Sequence, residues 1–227
     1  MDRRRTLVAR YNQRMDARIE LTLTSPEVAH LSAADPTLGA LIQRVGPISQ
    51  RLQSDGFNSL ASAIVSQQLS DRAASTIWGR VETALGGVTP TTILAASTDT
   101  LRGAGLSGSK TSFLRDLAER TLDGRLDIER LRELPDDDIV AELISVKGIG
   151  RWTAEMYLIF SLGRPDVLAL DDGAIRATIG WLYDLGGAAE RADAERIGEA
   201  WRPYRTAASL YLWRGLALRR AEEKAAR

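Results

Sequence analysis

Apolar residues recur at helical spacing along most of this chain. From Ser70, the residues Ile77, Val81 and Leu85 fall on one stripe that stops at Gly86-Gly87, which predicts a helix opened by serine and closed by glycine. NSLASAIVSQ, 58–67, predicts a helix with Asn58 as its N-cap. SKTSFLRDLAERTLDG, 109–124, turns Phe113, Leu114 and Leu117 inward between a Ser109 cap and a Gly124 stop. PDDDIVAELISV, 135–146, opens on proline and three acids, where the positive end of a helix dipole favours them. RWTAEMYLIFSLG, 151–163, and DGAIRATIGWLYDLGG, 172–187, follow as helices, the second with Asp172 at its start; RPYRTAASLYLWRGLALRRAEE forms the last, with Pro203 near its start. Strand signals are thin: a brief alternation in ARIELTLTSPE, 17–27, and the short apolar run VLAL, 167–170. The pattern predicts a compact all-α protein, with the N-terminal arm, 1–20, as its least ordered part.

Composition narrows the chemistry. The 227 residues are 44% hydrophobic and 26% charged, enough for one domain or two closely packed lobes. No apolar run approaches the roughly 18 residues a membrane span needs, and the first residues carry no secretory signal, so a cytoplasmic location is expected. The absence of cysteine removes disulfides, thiolate metal sites, iron–sulfur clusters and cysteine nucleophiles together. The single histidine, His30, has no partners at metal-ligand spacing. Formal net charge is zero, which counts mildly against a nucleic-acid binder, although six arginines crowd residues 1–18.

The stretch SVKGIGRWTAEM, 145–156, sets Gly148 and Gly150 between two predicted helices. A phosphate loop or a dinucleotide fingerprint would follow a strand, and here a helix precedes. What remains is helix, hairpin, helix. The N-terminal N–H groups of the second helix suit a phosphate oxygen, and Lys147 and Arg151 add charge. Such a device grips a DNA backbone without reading bases; a plain tight helix connection would have the same local sequence. LRGAGLSGSK, 101–110, is a second glycine-rich turn before a helix; it either caps that helix or holds a second phosphate through residues such as Lys110.

ELISVKGIGRWTAEM followed by DVLALDDGAIR resembles the helix–hairpin–helix DNA glycosylase superfamily, in which an aspartate follows the hairpin; Asp172 lies twenty residues beyond Trp152. AIVSQQLSDRAASTIWGRV, LRGAGLSGSKTSFLRDLA and WRPYRTAASLYLW resemble its alkylated-base branch, the AlkA-like 3-methyladenine DNA glycosylases II, and together these segments cover roughly 57–216. The resemblance implies a two-lobed all-α fold with a central cleft, one lobe from 21–54 plus 166–227 and the other, carrying the hairpin, from 55–165. It implies a monomeric enzyme of base excision repair, hydrolysing the glycosidic bond of alkylated bases flipped out of double-stranded DNA.

It also implies residue roles. Asp172 becomes the carboxylate that stabilises an oxocarbenium-like sugar, with Asp171 as its ambiguous neighbour. Family members that also cut the strand carry a lysine two residues past the second hairpin glycine; Trp152 stands there, which implies a glycosylase without lyase activity. Gln68 matches the residue inserted where the base leaves, with Leu69 beside it. Trp152, Met156 and Trp213 match positions lining the base pocket. Lys147, Gly148, Gly150, Arg151 and Thr153 form the phosphate grip. No cofactor is required, though the hairpin carbonyls of Ile144, Val146 and Ile149 match a family site for Na+ or K+. Two other readings stay open: a non-catalytic helix–hairpin–helix DNA-binding module, and a bifunctional oxidised-base glycosylase and lyase.

Overall fold

The computed structural model describes residues 17–53 and 56–226. Along the chain, β1 (Arg18–Leu21), α1 (Pro26–Ala34), α2 (Pro36–Val45) and β2 (Ile48–Arg51) come first. Then follow α3 (Phe57–Ser66), α4 (Asp71–Leu85), α5 (Pro90–Ala95), α6 (Thr98–Gly103), α7 (Gly108–Leu122), α8 (Asp136–Ile144) and α9 (Arg151–Phe160). The chain closes with α10 (Gly173–Leu182), α11 (Arg191–Gly198) and α12 (Arg205–Ala225). Among the described residues the fold is all-α apart from one two-stranded ribbon. The chain divides into two compact units, Met1–Leu52 with Leu158–Arg227, and Gln53–Tyr157.

The first unit is built around α12. This 21-residue helix packs on α2 and α10, and its Ala208, Tyr211 and Leu212 are fully buried, as are Leu38, Ile42, Ile175 and Ile179. β1 pairs antiparallel with β2, Leu21 opposite Ile48, so each strand buries one apolar end. Asp35 ties this unit together. It sits between α1 and α2, where its Oδ1 accepts from the Thr37 and Leu38 N–H groups, each at 3.0 Å, and caps α2. Its Oδ2 accepts the Trp201 indole N–H at 2.9 Å and the Tyr183 hydroxyl. Burial, followed by the Asp35 carboxylate itself, raises the Tyr183 phenol far above its ordinary range, so it acts as a permanent donor.

In the second unit α7 is the central helix, packed on α3 and α5, with Leu114, Leu117 and Ala118 buried against Leu60, Ile64 and Ile93.

Several predicted boundaries move. Asn58 lies inside α3, whose N-cap is Gly56. Ser109 is inside α7, because Ser107 takes the cap by accepting the Lys110 N–H at 3.2 Å. VLAL is not a strand. Its backbone groups bond to side chains of α12 instead: the Val167 N–H donates to Thr206 Oγ1 at 3.1 Å, and Ser209 Oγ donates to the Val167 carbonyl at 3.2 Å. The alternation in 17–27 does give β1, so Arg18–Glu20 of the expected arm belong to a strand, while its residues 1–16 lie outside the described residues. The periodicity missed α1, α2 and α11, and also α5 and α6, each only six residues long and each held by a Thr or Ser cap, at Thr89 and Ser97.

Replacing Asp35 by alanine strands two buried ring donors and two helix N–H groups at once. The Asp35→Ala chain is expected to lose about 3 kcal/mol of unfolding free energy, read as a lowered urea midpoint with an unchanged denaturant slope.

Candidate functional site

In the second unit the hairpin joins α8 to α9. Gly148 has φ +83, a left-handed conformation, and its bare Cα lies against the Phe113 ring of α7 so closely that a Cβ would fall within the ring. The neighbouring Lys147 N–H donates to Asp116 Oδ2 at 2.9 Å, and Arg120 Nε donates to the same oxygen at 2.9 Å. Asp116 is 8% exposed. Burial pushes its carboxyl up, but the Lys147 N–H, the Arg120 hydrogen bond and the two nearby cations outweigh that, and the net shift is downward. The Lys147 ammonium stays largely exposed, 3.8 Å from Asp116 Oδ1.

α9 begins at Arg151, directly after Gly150, so its first N–H groups have no partner within the helix and emerge at the turn. Arg151 donates to Glu155 Oε1 at 3.1 Å and is half exposed. Thr153 is buried, so only its backbone can face a ligand; Trp152 is 43% exposed and Met156 partly buried. Among the described residues the Ile144 and Ile149 carbonyls accept no loop N–H, while that of Val146 accepts the Ile149 N–H at 3.1 Å. Main-chain carbonyls are hard oxygen donors, the chemical type a monovalent cation takes.

The segment after α3 carries Gln67, Gln68 and Leu69. Gln68 is exposed in a left-handed conformation, φ +57, unusual for a residue with a side chain. Leu69 is partly buried. Lys110 is not left reaching into solvent: its ammonium donates to the carbonyls of Val65 and Gln67 at 2.7 and 2.8 Å.

In the first unit Asp172 is the N-cap of α10. Its Oδ1 accepts the Ile175 N–H at 2.8 Å and the Trp213 indole N–H at 3.1 Å. Trp213 is held in turn by the Phe160 ring, 5.6 Å between centroids. The carboxylate is therefore fixed by a helix start and by a side chain of α12. Asp171 is different: it is exposed and ion-paired to Arg191. The loop before them is anchored by Asp166, which accepts Arg205 Nε at 2.7 Å and Arg202 Nη1 at 2.8 Å, so both arginines serve the scaffold.

Sequence reasoning missed Gln67, Phe113 and Asp116 as parts of this machinery. Asp116 had a signal, an acid three residues after Phe113 on the inward stripe of a predicted helix. Gln67 had only its place beside Gln68.

Two outcomes follow from the hairpin. Gly148→Ala drives a methyl into Phe113 and strains the turn; its affinity for duplex DNA is expected to fall about tenfold or more in a fluorescence-anisotropy titration, since small displacements spoil phosphate geometry. The Asp116 carboxyl is depressed on folding, so its stabilisation is present above the ordinary carboxylate range and is lost as pH falls through the folded value. Asp116→Asn should therefore cost about 2 kcal/mol at pH 7, and the gap to wild type in urea denaturation should shrink steadily below about pH 4.

Comparison with known proteins agrees with this geometry. Residues 61–203 match the model of the HhH-GPD superfamily base excision DNA repair proteins. The chain is 34% identical over 203 residues to DNA-3-methyladenine glycosylase 1 of Schizosaccharomyces pombe, spanning 86% of this chain and 89% of that one. A crystal structure of a DNA-3-methyladenine glycosidase from Bacillus halodurans superposes with a TM-score of 0.81 at 39% identity, over 87% of this chain and 92% of that one. The Schizosaccharomyces pombe 3-methyladenine DNA glycosylase Mag1, in complex with abasic DNA, superposes at 0.76 with 33% identity, over 83% and 95% of the two chains. This chain belongs to the HhH-GPD superfamily of base excision DNA repair proteins.

Proposed function

We propose that this chain is a monofunctional DNA glycosylase of base excision repair, which hydrolyses the N-glycosidic bond of alkylated purines such as 3-methyladenine and 7-methylguanine flipped out of duplex DNA. The observation that carries the reading is the Asp172 carboxylate, held at a helix start by the Ile175 N–H and the Trp213 indole. Relatives matched over 86–87% of this chain bear the names DNA-3-methyladenine glycosylase and DNA-3-methyladenine glycosidase.

The chemistry suits one carboxylate. An alkylated purine carries positive charge, so it leaves neutral when the bond from C1′ to the ring nitrogen breaks. Positive charge then appears on the sugar, and a fixed anion nearby lowers that barrier. Water adds to C1′ and its proton passes to Asp172 or to solvent. Trp213 keeps the carboxylate in one orientation, while Trp152 and Met156 offer an aromatic face and a polarisable thioether to a cationic base. Trp152 stands where a Schiff-base lysine would be needed, which supports hydrolysis without strand cleavage.

The hairpin N–H groups, Lys147 and Arg151 hold a phosphate, and Gln68 with Leu69 fills the space the base vacates. A Na+ or K+ on the carbonyls of Ile144, Val146 and Ile149 would add positive charge at that phosphate. The family resemblance carries the reading of a monomer.

The test is release of free base from methylated duplex DNA, read by mass spectrometry with chelator present. Wild type is expected to release alkylated purines and leave abasic sites, with no borohydride-trapped adduct. Asp172→Asn should lose about a thousandfold in single-turnover rate while still binding DNA. Trp213→Phe keeps an aromatic side chain but loses the indole N–H; its rate should fall about tenfold with little change in affinity. Wild type that binds but releases nothing would leave a DNA-binding module, and an active Asp172→Asn would move the carboxylate role to Asp171.

A further inference from the structure

The Gln68 segment and the hairpin are connected by a side chain across 81 residues of sequence: Gln67 Nε2 donates to the Gly148 carbonyl at 2.6 Å. Lys110 fastens the same segment from below, its ammonium shared between the carbonyls of Val65, in the last turn of α3, and Gln67, the residue that ends it. A cation at a helix C-terminus satisfies carbonyls that have no partner within the helix. Burial lowers the Lys110 ammonium from its ordinary value, as for a charge taken from solvent and given to carbonyl dipoles.

Lys110, Phe113 and Asp116 recur every three residues along α7, and each touches one of the two elements: Lys110 the Gln68 segment, Phe113 the glycine of the hairpin, Asp116 the Lys147 N–H. The segment carries Gln68 exposed at a positive φ, a conformation that costs about 1 kcal/mol and persists only when its surroundings fix it. Gln67 on one side and the Leu69 N–H bond to the Ser66 carbonyl on the other provide that fixing.

We infer that Lys110 and Gln67 are positioning residues for base flipping: they lock the Gln68 segment in register with the phosphate-gripping hairpin, so that holding the backbone and filling the gap become one event. The inference rests on the glycosylase reading above and changes the expected role of Lys110 from phosphate contact to support of the segment. Flipping a paired base costs a few kcal/mol of stacking and pairing, and a base that is already unpaired costs least. A loosened wedge therefore matters for a lesion in a perfect duplex and hardly matters for the same lesion already unstacked.

The variants are Lys110→Met, which keeps the stem and removes the ammonium, and Gln67→Leu. The control is Arg115→Met: Arg115 also lies on α7 and also donates to a carbonyl, that of Ala96 at 2.7 Å, a bond that reaches neither element. Two substrates are compared, 7-methylguanine in a fully paired duplex and the same base within a three-pair mismatched bubble. For Lys110→Met and Gln67→Leu, the bubble-to-duplex ratio of release rates is expected to rise about tenfold, and for Arg115→Met to stay within about twofold of wild type. A uniform loss on both substrates, or the same rise in the control, would mean a merely structural role and overturn the inference.

A second readout is independent of chemistry. 2-Aminopurine beside a tetrahydrofuran abasic analogue should brighten when wild type binds, and brighten at least about threefold less at saturation with Lys110→Met. Equal brightening overturns the proposal. If wild type releases no 7-methylguanine, the glycosylase reading has failed, while the fluorescence still reports whether these residues hold the wedge.

Discussion

The approach of the Gly148 backbone to the Phe113 ring is the contact on which the hairpin-bearing unit of this protein depends. A hairpin this short has no core of its own; it must be held from outside. α7 does so with three kinds of contact from one face: an aromatic ring against bare backbone, a carboxylate on the Lys147 N–H, and a partly buried ammonium on the carbonyls of the Gln68 segment. Each needs the others. Asp116 is worth burying only because Arg120 and the Lys147 N–H share its charge. Lys110 can leave solvent only because α3 ends with its carbonyls aimed at it. The glycine is required because the ring already occupies the Cβ position.

In the other unit the same economy makes a helix cap into a chemical group. Asp172 would be an ordinary N-cap if Oδ1 accepted only the Ile175 N–H. The Trp213 indole on the same oxygen fixes the plane of the carboxylate as well as its position. A preorganised anion needs little rearrangement when positive charge appears beside it, and that is where electrostatic catalysis gains most. Asp171, one residue earlier, lacks this arrangement: it is exposed and its charge is met by Arg191. The DD pair that leaves the sequence reading ambiguous is thus asymmetric in physical terms.

What was legible in the sequence was whatever periodicity and capping express locally. The stripe from Ile77 to Leu85, the Ser70 cap and the Gly86 stop appear at α4 as expected, because each depends on residues three or four apart. The Gly148 turn and Asp172 at a helix start were equally local. What was illegible depended on partners far along the chain. VLAL gave a thin strand signal because a short apolar run is compatible with one; the hydroxyls of Thr206 and Ser209, some forty residues later, satisfy an irregular segment there instead. Lys110 looked like a phosphate ligand because a lysine after a glycine-rich turn often is; its carbonyl partners lie more than forty residues upstream. Gln67 drew no notice because nothing local sets it apart from Gln68.

The zero net charge fits the same account. A protein that binds a polyanion through bulk attraction needs unpaired cations. Here many arginines are already paired within the scaffold, Arg120 with Asp116, Arg151 with Glu155, and Arg202 and Arg205 with Asp166. Their charge goes into geometry, fixing the turn, the helix start and the loop that leads to Asp172. At the hairpin a phosphate would meet the backbone N–H groups at the start of α9, the positive end of that helix, the exposed ammonium of Lys147 and the half-exposed guanidinium of Arg151. Such a grip gains little from long-range attraction and much from exact placement. On the proposed reading, the supports on α7 matter to it as much as the residues that would touch DNA.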